Sequence, residues 1–281
     1  MNIQRKPDWL KIKLASTADY AKVKDIVNKH KLHTICQSGS CPNMGDCWSR
    51  GTATFMILGN ICTRACKFCN VNTGKPLPVD WDEAARIAES IKLMKLNHAV
   101  VTSVDRDDLS DFGAAYWAYT IKKIKQENPQ TTLEVLVPDF QGNLQYLDKV
   151  IEAAPDIISH NLETTRRLTP QIRTKAQYDT SLNVIGHIAQ SGVVAKSGIM
   201  LGLGETQEEV FEVMDDLRAV NCQIMTIGQY LQPASENIEV KEYIHPEQFA
   251  YYKKIGLSKG FKVVESAPLV RSSYHAEKHI M

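Results

Sequence analysis

The sequence has no excess of charge of either sign, because 33 Lys and Arg residues nearly cancel 32 Asp and Glu residues. A strongly basic or acidic chain would suggest nucleic acid or an anionic membrane surface as a partner, and we expect neither here. No run approaches the roughly 18 apolar residues of a transmembrane helix. The first ten residues lack the apolar core of a signal peptide. We therefore expect a cytoplasmic protein.

Cysteine is scarce, and the odd total of seven does not suggest a set of disulfides. In a reducing compartment, clustered cysteines are typical of a metal site or a catalytic site. Six of them lie between residues 36 and 69, in two groups of three. The seventh, Cys222, has no other cysteine near it in the sequence, and we expect it to be a buried core thiol. The chemistry of the chain is therefore expected at the two cysteine groups.

Beyond residue 69, short β-branched apolar runs alternate with segments whose apolar residues recur every three or four positions. The predicted strands are 54–58, 98–104, 133–137, 156–159, 193–201 and 224–229. The predicted helices are 81–96, 113–128, 144–153, 180–190, 206–220 and 245–259. This alternation predicts a parallel α/β sheet, either doubly wound or curled into a full or partial barrel. We favour a partial (β/α)6 barrel of parallel strands, because the second cysteine group then falls at a carboxyl strand end, where such folds collect their chemistry.

Three regions follow from this pattern. Residues 1–50 do not alternate in this way and are predicted to form an N-terminal extension that carries the first cysteine group. Residues 51–260 are predicted to form the barrel. Residues 261–281 are predicted to form a C-terminal tail, which the apolar run 263–270 would anchor near the barrel as a last extended segment.

The second cysteine group has the pattern C-x3-C-x2-C and consists of Cys62, Cys66 and Cys69. Thiolates at this spacing on a tight loop can converge on one cluster or ion. A [4Fe–4S] cluster held by three cysteines leaves one iron open, which a small molecule with an amine and a carboxylate could chelate. The spacing is also the signature of radical S-adenosylmethionine enzymes. The alternative is a zinc knuckle with its fourth ligand from the first group.

The first cysteine group has the pattern C-x4-C-x5-C and consists of Cys36, Cys41 and Cys47. These spacings are too wide for an ordinary zinc ribbon pair. The residues alone leave open a zinc site or a structural cluster completed by His30 or His33.

The two cysteine patterns together resemble the lipoyl synthases, a family of the radical S-adenosylmethionine superfamily. The resemblance covers most of the chain and includes further segments at 101–109, 160–164, 202–205, 228–233 and 271–274. It implies a sulfurtransferase of lipoate biosynthesis, which inserts two sulfur atoms at C6 and C8 of a protein-bound octanoyl-lysine. The alternatives are a sulfur-inserting radical enzyme similar to biotin synthase, or a non-catalytic iron–sulfur or zinc protein.

The resemblance also implies two [4Fe–4S] clusters. The second cysteine group would hold the cluster that binds S-adenosylmethionine, and the first would hold an auxiliary cluster that supplies the sulfur. The fourth ligand of the auxiliary cluster would be a serine of the Arg271–Tyr274 segment; the sequence leaves Ser272 and Ser273 open, and the family pattern favours Ser273. An oxygen ligand is poorly matched to an otherwise thiolate-bound cluster, and the iron that it binds should therefore be the first to leave. The residues implied to be catalytic are Cys62, Cys66, Cys69 and Ser273.

Polar side chains at the carboxyl end of the second predicted strand and after the fourth are expected to contact the cofactor, because carboxyl strand ends meet over the barrel mouth. An arginine further along could pair with a carboxylate through its two-pronged donor set. The predicted cofactor-binding residues are Thr102, Ser103, Asp105, Asn161, Glu163 and Arg173. The alternatives are a solvated turn in which Asp107 or Asp108 caps the next helix, a loop network between strands, and a surface ion pair of the arginine.

The resemblance implies three kinds of partner. The substrate would be an octanoylated lipoyl carrier domain, as in 2-oxoacid dehydrogenase E2 subunits and the glycine cleavage H protein. A small electron donor such as ferredoxin or flavodoxin would reduce the cluster that binds S-adenosylmethionine. A cluster-assembly or repair carrier would rebuild the auxiliary cluster.

Overall fold

The computed structural model describes residues 5–12 and 17–279, so parts of the predicted 1–50 extension and of the 261–281 tail lie outside the described residues. The strands are β1 His33–Thr34, β2 Thr54–Ile57, β3 Ile61–Cys62, β4 Asn72–Thr73, β5 His98–Ser103, β6 Thr132–Leu136, β7 Ile157–Ser159, β8 Val194–Leu201, β9 Ile224–Gln229 and β10 Val263–Ser266. The α-helices are α1 Ala18–Lys29, α2 Ile35–Ser38, α3 Met44–Ser49, α4 Glu83–Met94, α5 Ala114–Glu127, α6 Leu144–Glu152, α7 Thr169–Ile172, α8 Tyr178–Gln190, α9 Gln207–Ala219 and α10 Pro246–Ser258. All six predicted strands and all six predicted helices are present.

The main sheet has the order β1-β2-β5-β6-β7-β8-β9-β10. Strand β1 is antiparallel to β2, and the other neighbours are parallel. Because the spatial order follows the chain order, all crossovers advance in one direction, and the sheet curves with its helices on one face. Within the described residues β1 and β10 do not pair with each other, so the barrel stays open. The predicted partial barrel of parallel strands is confirmed, with one further strand at each edge.

Strand β2 shows how the sheet divides cavity from core. Thr54 and Met56 line the barrel cavity, whereas Phe55 and Ile57 are fully buried in the hydrophobic core. This alternation follows from the two-residue period of a strand. The first predicted strand therefore presents alternate residues to the site.

The predicted helix starts are also observed. Thr206 and Glu209 form a capping box at the start of α9, with the Glu209 carboxylate accepting from the Thr206 backbone N–H at 2.8 Å. Pro246 is the first residue of α10, where a missing N–H costs nothing. No helix in the described part of the chain combines the length and apolar character needed to cross a bilayer.

The N-terminal region packs against the barrel. Val23 and Val27 of α1, together with Trp48 of α3, are buried in the same core as the barrel helices. Strand β1 holds this region to the sheet through its pairing with β2. The first cysteine group is therefore fixed beside the edge of the barrel. Cys222 is fully buried in the core, as predicted.

Candidate active site

The carboxyl ends of the parallel strands surround a cavity of about 350 Å³. The cysteine loop after β2, the first cysteine group and the C-terminal tail complete its walls. The sequence-predicted residues that line it are Cys36, Cys41, Cys62, Cys66, Cys69, Thr102, Ser103, Asp105, Asn161, Glu163, Arg173 and Ser273. Among the predicted site residues only Cys47 lies outside this lining, and the fold thus gathers positions from five separate parts of the chain.

The second cysteine group lies on a loop whose amides face its sulfur atoms. Each of the three thiols has a nearby backbone N–H donor. The donor–acceptor pairs are Arg64 to Cys62 at 3.4 Å, Val71 to Cys69 at 3.4 Å, and Thr174 to Cys66. Such donors favour a negatively charged sulfur, and hydrogen bonds to the sulfurs tune iron–sulfur clusters. The loop is therefore shaped for thiolate ligands.

A buried arginine fixes this loop to the barrel. The Arg64 side chain is 3% exposed and donates four hydrogen bonds of 2.7–3.0 Å to the carboxylates of Asp107 and Asp139. Its Nη1 also lies 3.4 Å from the carboxylate of Asp105. Burial alone would raise the pKa values of Asp107 and Asp139, but the hydrogen bonds and charge of Arg64, with smaller contributions from other neighbours, together outweigh it and lower both. The segments after β5 and β6 thus hold the middle of the cysteine loop.

The first cysteine group is separate from the second. The pKa of Cys47 is raised to about 12, mainly by burial and also by the neighbouring thiols Cys36 and Cys41. Cys69, from the second group, contributes in the same way to the raised pKa values of Cys62 and Cys66. This pattern places Cys47 with its group although it does not line the cavity.

The six clustered thiols are better suited to ligation than to nucleophilic attack. Burial is the main cause that raises the pKa of each, to about 11 for Cys36 and about 12 for Cys62. A thiol with a raised pKa is a poor nucleophile at neutral pH. Within residues 5–12 and 17–279, no three His, Cys, Asp or Glu side chains converge on one point as a single ion requires. In a [4Fe–4S] cluster each thiolate binds its own iron, and three thiolates from one loop are a donor set that such clusters use.

The two tail serines face different parts of the site. Thr54 Oγ1 donates a hydrogen bond of 2.9 Å to Ser273 Oγ, and the backbone N–H of Thr54 faces the Cys36 thiol. Asn161 Nδ2 instead donates to Ser272 Oγ at 2.7 Å. Ser273 therefore lies on the side of the first cysteine group, and Ser272 lies on the side of the predicted cofactor-binding residues.

The tail reaches this position across β9. A Cβ atom on Gly228 would lie 2.1 Å from the Val270 carbonyl oxygen, so a glycine is needed for this close approach. Asn43 Nδ2 donates to the Leu269 carbonyl at 2.6 Å. The predicted extended segment 263–270 forms strand β10 only over Val263–Ser266, and the remaining residues turn over the strand ends.

Three predicted cofactor-binding residues carry buried polar atoms without a hydrogen-bond partner in the described part of the chain. These atoms are Ser103 Oγ, Asn161 Oδ1 and Arg173 Nε. Buried polar atoms are almost always satisfied by protein, water or ligand. Their residues all line the cavity, so the site fits a ligand that offers both hydrogen-bond donors and acceptors.

Arg173 and Glu163 form the charged part of this wall. Arg173 is buried, with 9% of it exposed, so the surface ion pair considered as an alternative is wrong. Its Nη1 donates to Ser181 Oγ at 2.9 Å. Glu163 adopts a left-handed φ of 68°, a strained conformation for a non-glycine residue that is often found at functional sites. Burial raises the pKa of Glu163, and a cationic ligand would favour its carboxylate.

Two other predicted cofactor-binding residues, Thr102 and Asp105, also make contacts within the protein. Thr102 Oγ1 donates to the Leu136 carbonyl at 3.2 Å, which leaves its hydroxyl oxygen as an acceptor. The Asp105 carboxylate lies 3.8 Å from Cys62 Sγ and is shared with Arg64.

Neither Asp107 nor Asp108 caps the next helix, so that alternative is wrong. Asp108 pairs with Arg106 at 2.9 Å, and Asp107 pairs with Arg64 of the cysteine loop. Asp111 accepts from the backbone N–H groups of Gly113 and Ala115 and so satisfies the start of α5. The acidic run after β5 therefore has three distinct structural tasks.

Comparison with known proteins supports this architecture. A model of the radical SAM superfamily matches residues 56–217. Methylornithine synthase has a solved structure that resembles this chain with a TM-score of 0.57 at 12% identity, covering 90% of this chain and 84% of that one. Streptococcus suis SuiB bound to S-adenosylmethionine gives a TM-score of 0.61 at 10% identity, covering 89% and 62%. At such identities these structures show the fold alone.

Curated relatives match at much higher identity. The lipoyl synthase of Bacteroides thetaiotaomicron is 67% identical over 276 residues, which cover 98% of each chain. The lipoyl synthase of Treponema denticola is 62% identical over 278 residues, covering 99% of this chain and 96% of that one. The cavity, the paired cysteine groups and these matches agree, and the chain belongs to the lipoyl synthase family of the radical SAM superfamily.

Proposed function

We propose that this chain inserts two sulfur atoms at C6 and C8 of an octanoyl-lysine on a lipoyl carrier domain, with its two cysteine groups holding two separate clusters. Membership of the family makes it a radical SAM sulfurtransferase that uses S-adenosylmethionine and [4Fe–4S] clusters. The observation that carries the proposal is the shared cavity, whose walls hold residues of both cysteine groups and the tail serines. A substrate carbon in that cavity could meet both groups.

In this proposal Cys62, Cys66 and Cys69 hold the cluster that binds S-adenosylmethionine. The unsatisfied atoms Ser103 Oγ, Asn161 Oδ1 and Arg173 Nε support a cofactor site in the adjacent wall. The bound cofactors supply the one-electron chemistry that breaks an unactivated C–H bond, which no side chain could do. The protein contributes by excluding water and by fixing the substrate carbon within this enclosed space.

The first cysteine group would hold the auxiliary cluster, with Ser273 as its oxygen ligand. The contact of Ser273 with Thr54, next to Cys36, supports Ser273 over Ser272. Ser272 is engaged by Asn161 instead. In the domain assignment, residues 1–50 and 261–281 would thus close on the same cluster from the two ends of the chain, while residues 51–260 would bind S-adenosylmethionine.

The partners follow from the same reaction. An octanoylated carrier domain would dock over the barrel mouth and insert its acylated lysine, since both cysteine groups lie at that end. A small reductant such as ferredoxin or flavodoxin would supply the electrons, and a cluster carrier would restore the consumed auxiliary cluster. None of the seven cysteines forms a disulfide, which supports action in a reducing compartment such as the cytoplasm.

Two complementary triple variants test the partition. Replacing Cys62, Cys66 and Cys69 by Ala should abolish S-adenosylmethionine cleavage and leave one cluster, counted as iron and sulfide after anaerobic reconstitution. The matched variant replaces the other group, Cys36, Cys41 and Cys47. It should still cleave S-adenosylmethionine but form no thiolated product. Loss of both clusters from a folded triple variant would contradict the partition.

The serines offer a second matched pair. Ser273→Ala should retain S-adenosylmethionine cleavage and yield little or no doubly thiolated product, because the oxygen ligand is lost. Ser273→Cys should hold the iron too firmly and also stall sulfur transfer. Inactive Ser272→Ala beside fully active Ser273 variants would move the ligand to Ser272. Full product yield from every serine variant would exclude a serine ligand.

A further inference from the structure

Thr54 stands at the junction of the first cysteine group and the tail. It is the first residue of β2, is 7% exposed, and lines the cavity. Its hydroxyl donates to Ser273 Oγ at 2.9 Å. Its backbone N–H faces the Cys36 thiol. One residue thus contacts two groups that belong to the same cluster site.

We propose that Thr54 is the positioning residue of the auxiliary cluster's oxygen ligand: it holds Ser273 Oγ beside Cys36 and donates a hydrogen bond to that oxygen when it binds iron. This inference rests on the proposed function, in which Ser273 completes the cluster. It adds a residue outside the cysteine and serine motifs to the machinery.

The fold makes Thr54 the fixed member of this pair. Thr54 is paired in register with Val100 of β5, within the parallel sheet. Ser273 lies in a turn of the tail, beyond the last strand. Because a strand residue moves less than a residue in a terminal turn, Thr54 determines where the serine oxygen lies.

The hydrogen bond should become stronger on ligation. When the serine oxygen binds iron, its O–H bond breaks, an Fe–O bond forms and the proton passes to water, with no change in oxidation state. The Thr54 hydroxyl then donates to an anionic oxygen, and such charge-assisted bonds are roughly twice as strong as neutral ones. Removal of this donor therefore weakens the ligated state more than the empty one.

Two substitutions isolate the donor. Thr54→Val keeps the size, the β-branch and the strand preference of threonine, but removes the hydroxyl. Thr54→Ser keeps the hydroxyl and loses a methyl group. The unfolding temperature of each apoprotein shows that the variants fold, and Ser273→Ala supplies the reference for loss of the ligand itself.

The measurement follows iron release from the auxiliary cluster. The full chain with Cys62, Cys66 and Cys69 replaced by Ala is reconstituted anaerobically, and release of iron to bathophenanthroline is recorded by absorbance. We expect Thr54→Val to accelerate the first phase about tenfold, equivalent to about 1.4 kcal/mol. Thr54→Ser should stay within about twofold of the parent, as its donor remains. Thr54→Val should have no further effect in the Ser273→Ala background.

Each other outcome has a definite meaning. If Ser273→Ala accelerates release but Thr54→Val does not, the role of Thr54 is wrong and the serine ligand stands. If Ser273→Ala leaves the rate unchanged, or the background holds no cluster, the proposed ligand assignment fails and the role of Thr54 fails with it. An equal acceleration by Thr54→Val with and without Ser273 would mean a general effect on packing, and would overturn the inference.

Discussion

Replacement of Arg64 by Met is expected to destabilise the protein through the loop that carries the second cysteine group. The Arg64 guanidinium is 3% exposed and binds the carboxylates of Asp107 and Asp139 through two hydrogen bonds each. These carboxylates are 10% and 3% exposed. Without Arg64 they would remain buried with much of their compensating charge removed.

The size of the effect follows from this burial. Removal of one partner from a buried ion pair typically costs about 3–5 kcal/mol, because the other charge stays uncompensated. Lys175 still lies 3.2 Å from Asp107 and offsets part of the loss there, so Asp139 carries most of the cost. At roughly 2 °C per kcal/mol for a chain of this length, the unfolding temperature should fall by roughly 6–10 °C. Arg64→Lys keeps the charge but loses the two-pronged donor geometry, so its unfolding temperature should lie between those of the parent and of Arg64→Met.

The assay is thermal unfolding of the apoprotein under anaerobic reducing conditions. Arg167→Met is the matched control, because Arg167 binds Glu209 through a similar fork of 2.7 and 2.9 Å but is 52% exposed. An exposed pair contributes about 0–1 kcal/mol, so this control should change little. Asp139→Asn should recover part of the loss in the Arg64→Met background, since it removes the uncompensated charge.

Equal small losses from Arg64→Met and Arg167→Met would refute the reasoning from burial. A second consequence concerns the cluster. Arg64 lies between Cys62 and Cys66, so Arg64→Met should also lower the iron content of the S-adenosylmethionine-binding cluster while the auxiliary cluster is retained. Equal iron loss from both clusters would point to general unfolding instead.

Three further predictions concern other parts of the molecule. Burial raises the pKa of Glu83 to about 7, so its ionisation costs stability as the pH rises from about 4.5 to 7. Glu83→Gln should therefore reduce the fall in unfolding temperature between pH 5 and pH 8, and exposed Glu152→Gln should not. Gly228→Ala should displace the tail and lower the dithiolated product without lowering S-adenosylmethionine cleavage, whereas Gly74→Ala, whose nearest contact would be 3.6 Å, should leave the product yield unchanged. A whole octanoylated carrier domain should have a lower KM than a short octanoyl-lysine peptide, because remote contacts add binding, and free octanoic acid reacting as well as either would contradict carrier docking.

The barrel could be predicted from the sequence because its signals are local. Strands β8 and β9 are short, mostly buried runs rich in apolar residues, and α9 begins at a capping box that four residues define. Strand β1 could not be predicted in this way. It is two residues long, and its pairing with β2 depends on the packing of the N-terminal region.

The cysteine positions at the site were predictable, because their spacing and the family resemblance both point to them as expected cluster ligands. The residues that support these ligands were not. Arg64 meets its two carboxylates 43 and 75 residues further along the chain, and Thr54 meets Ser273 across 219 residues. An arginine inside a cysteine loop and a threonine at the start of a strand carry no such information until the fold brings their partners together.

The decisive measurement is sulfur transfer from the chain to an octanoyl-lysine peptide. The chain is reconstituted anaerobically with 34S-sulfide, mixed with S-adenosylmethionine, a reductant and the peptide, and the product of a single turnover is weighed by mass spectrometry. We expect a peptide that carries two heavy sulfur atoms, in an amount no greater than that of the chain. Consumption of S-adenosylmethionine with no sulfur in the peptide, or insertion of unlabelled sulfur, would contradict it.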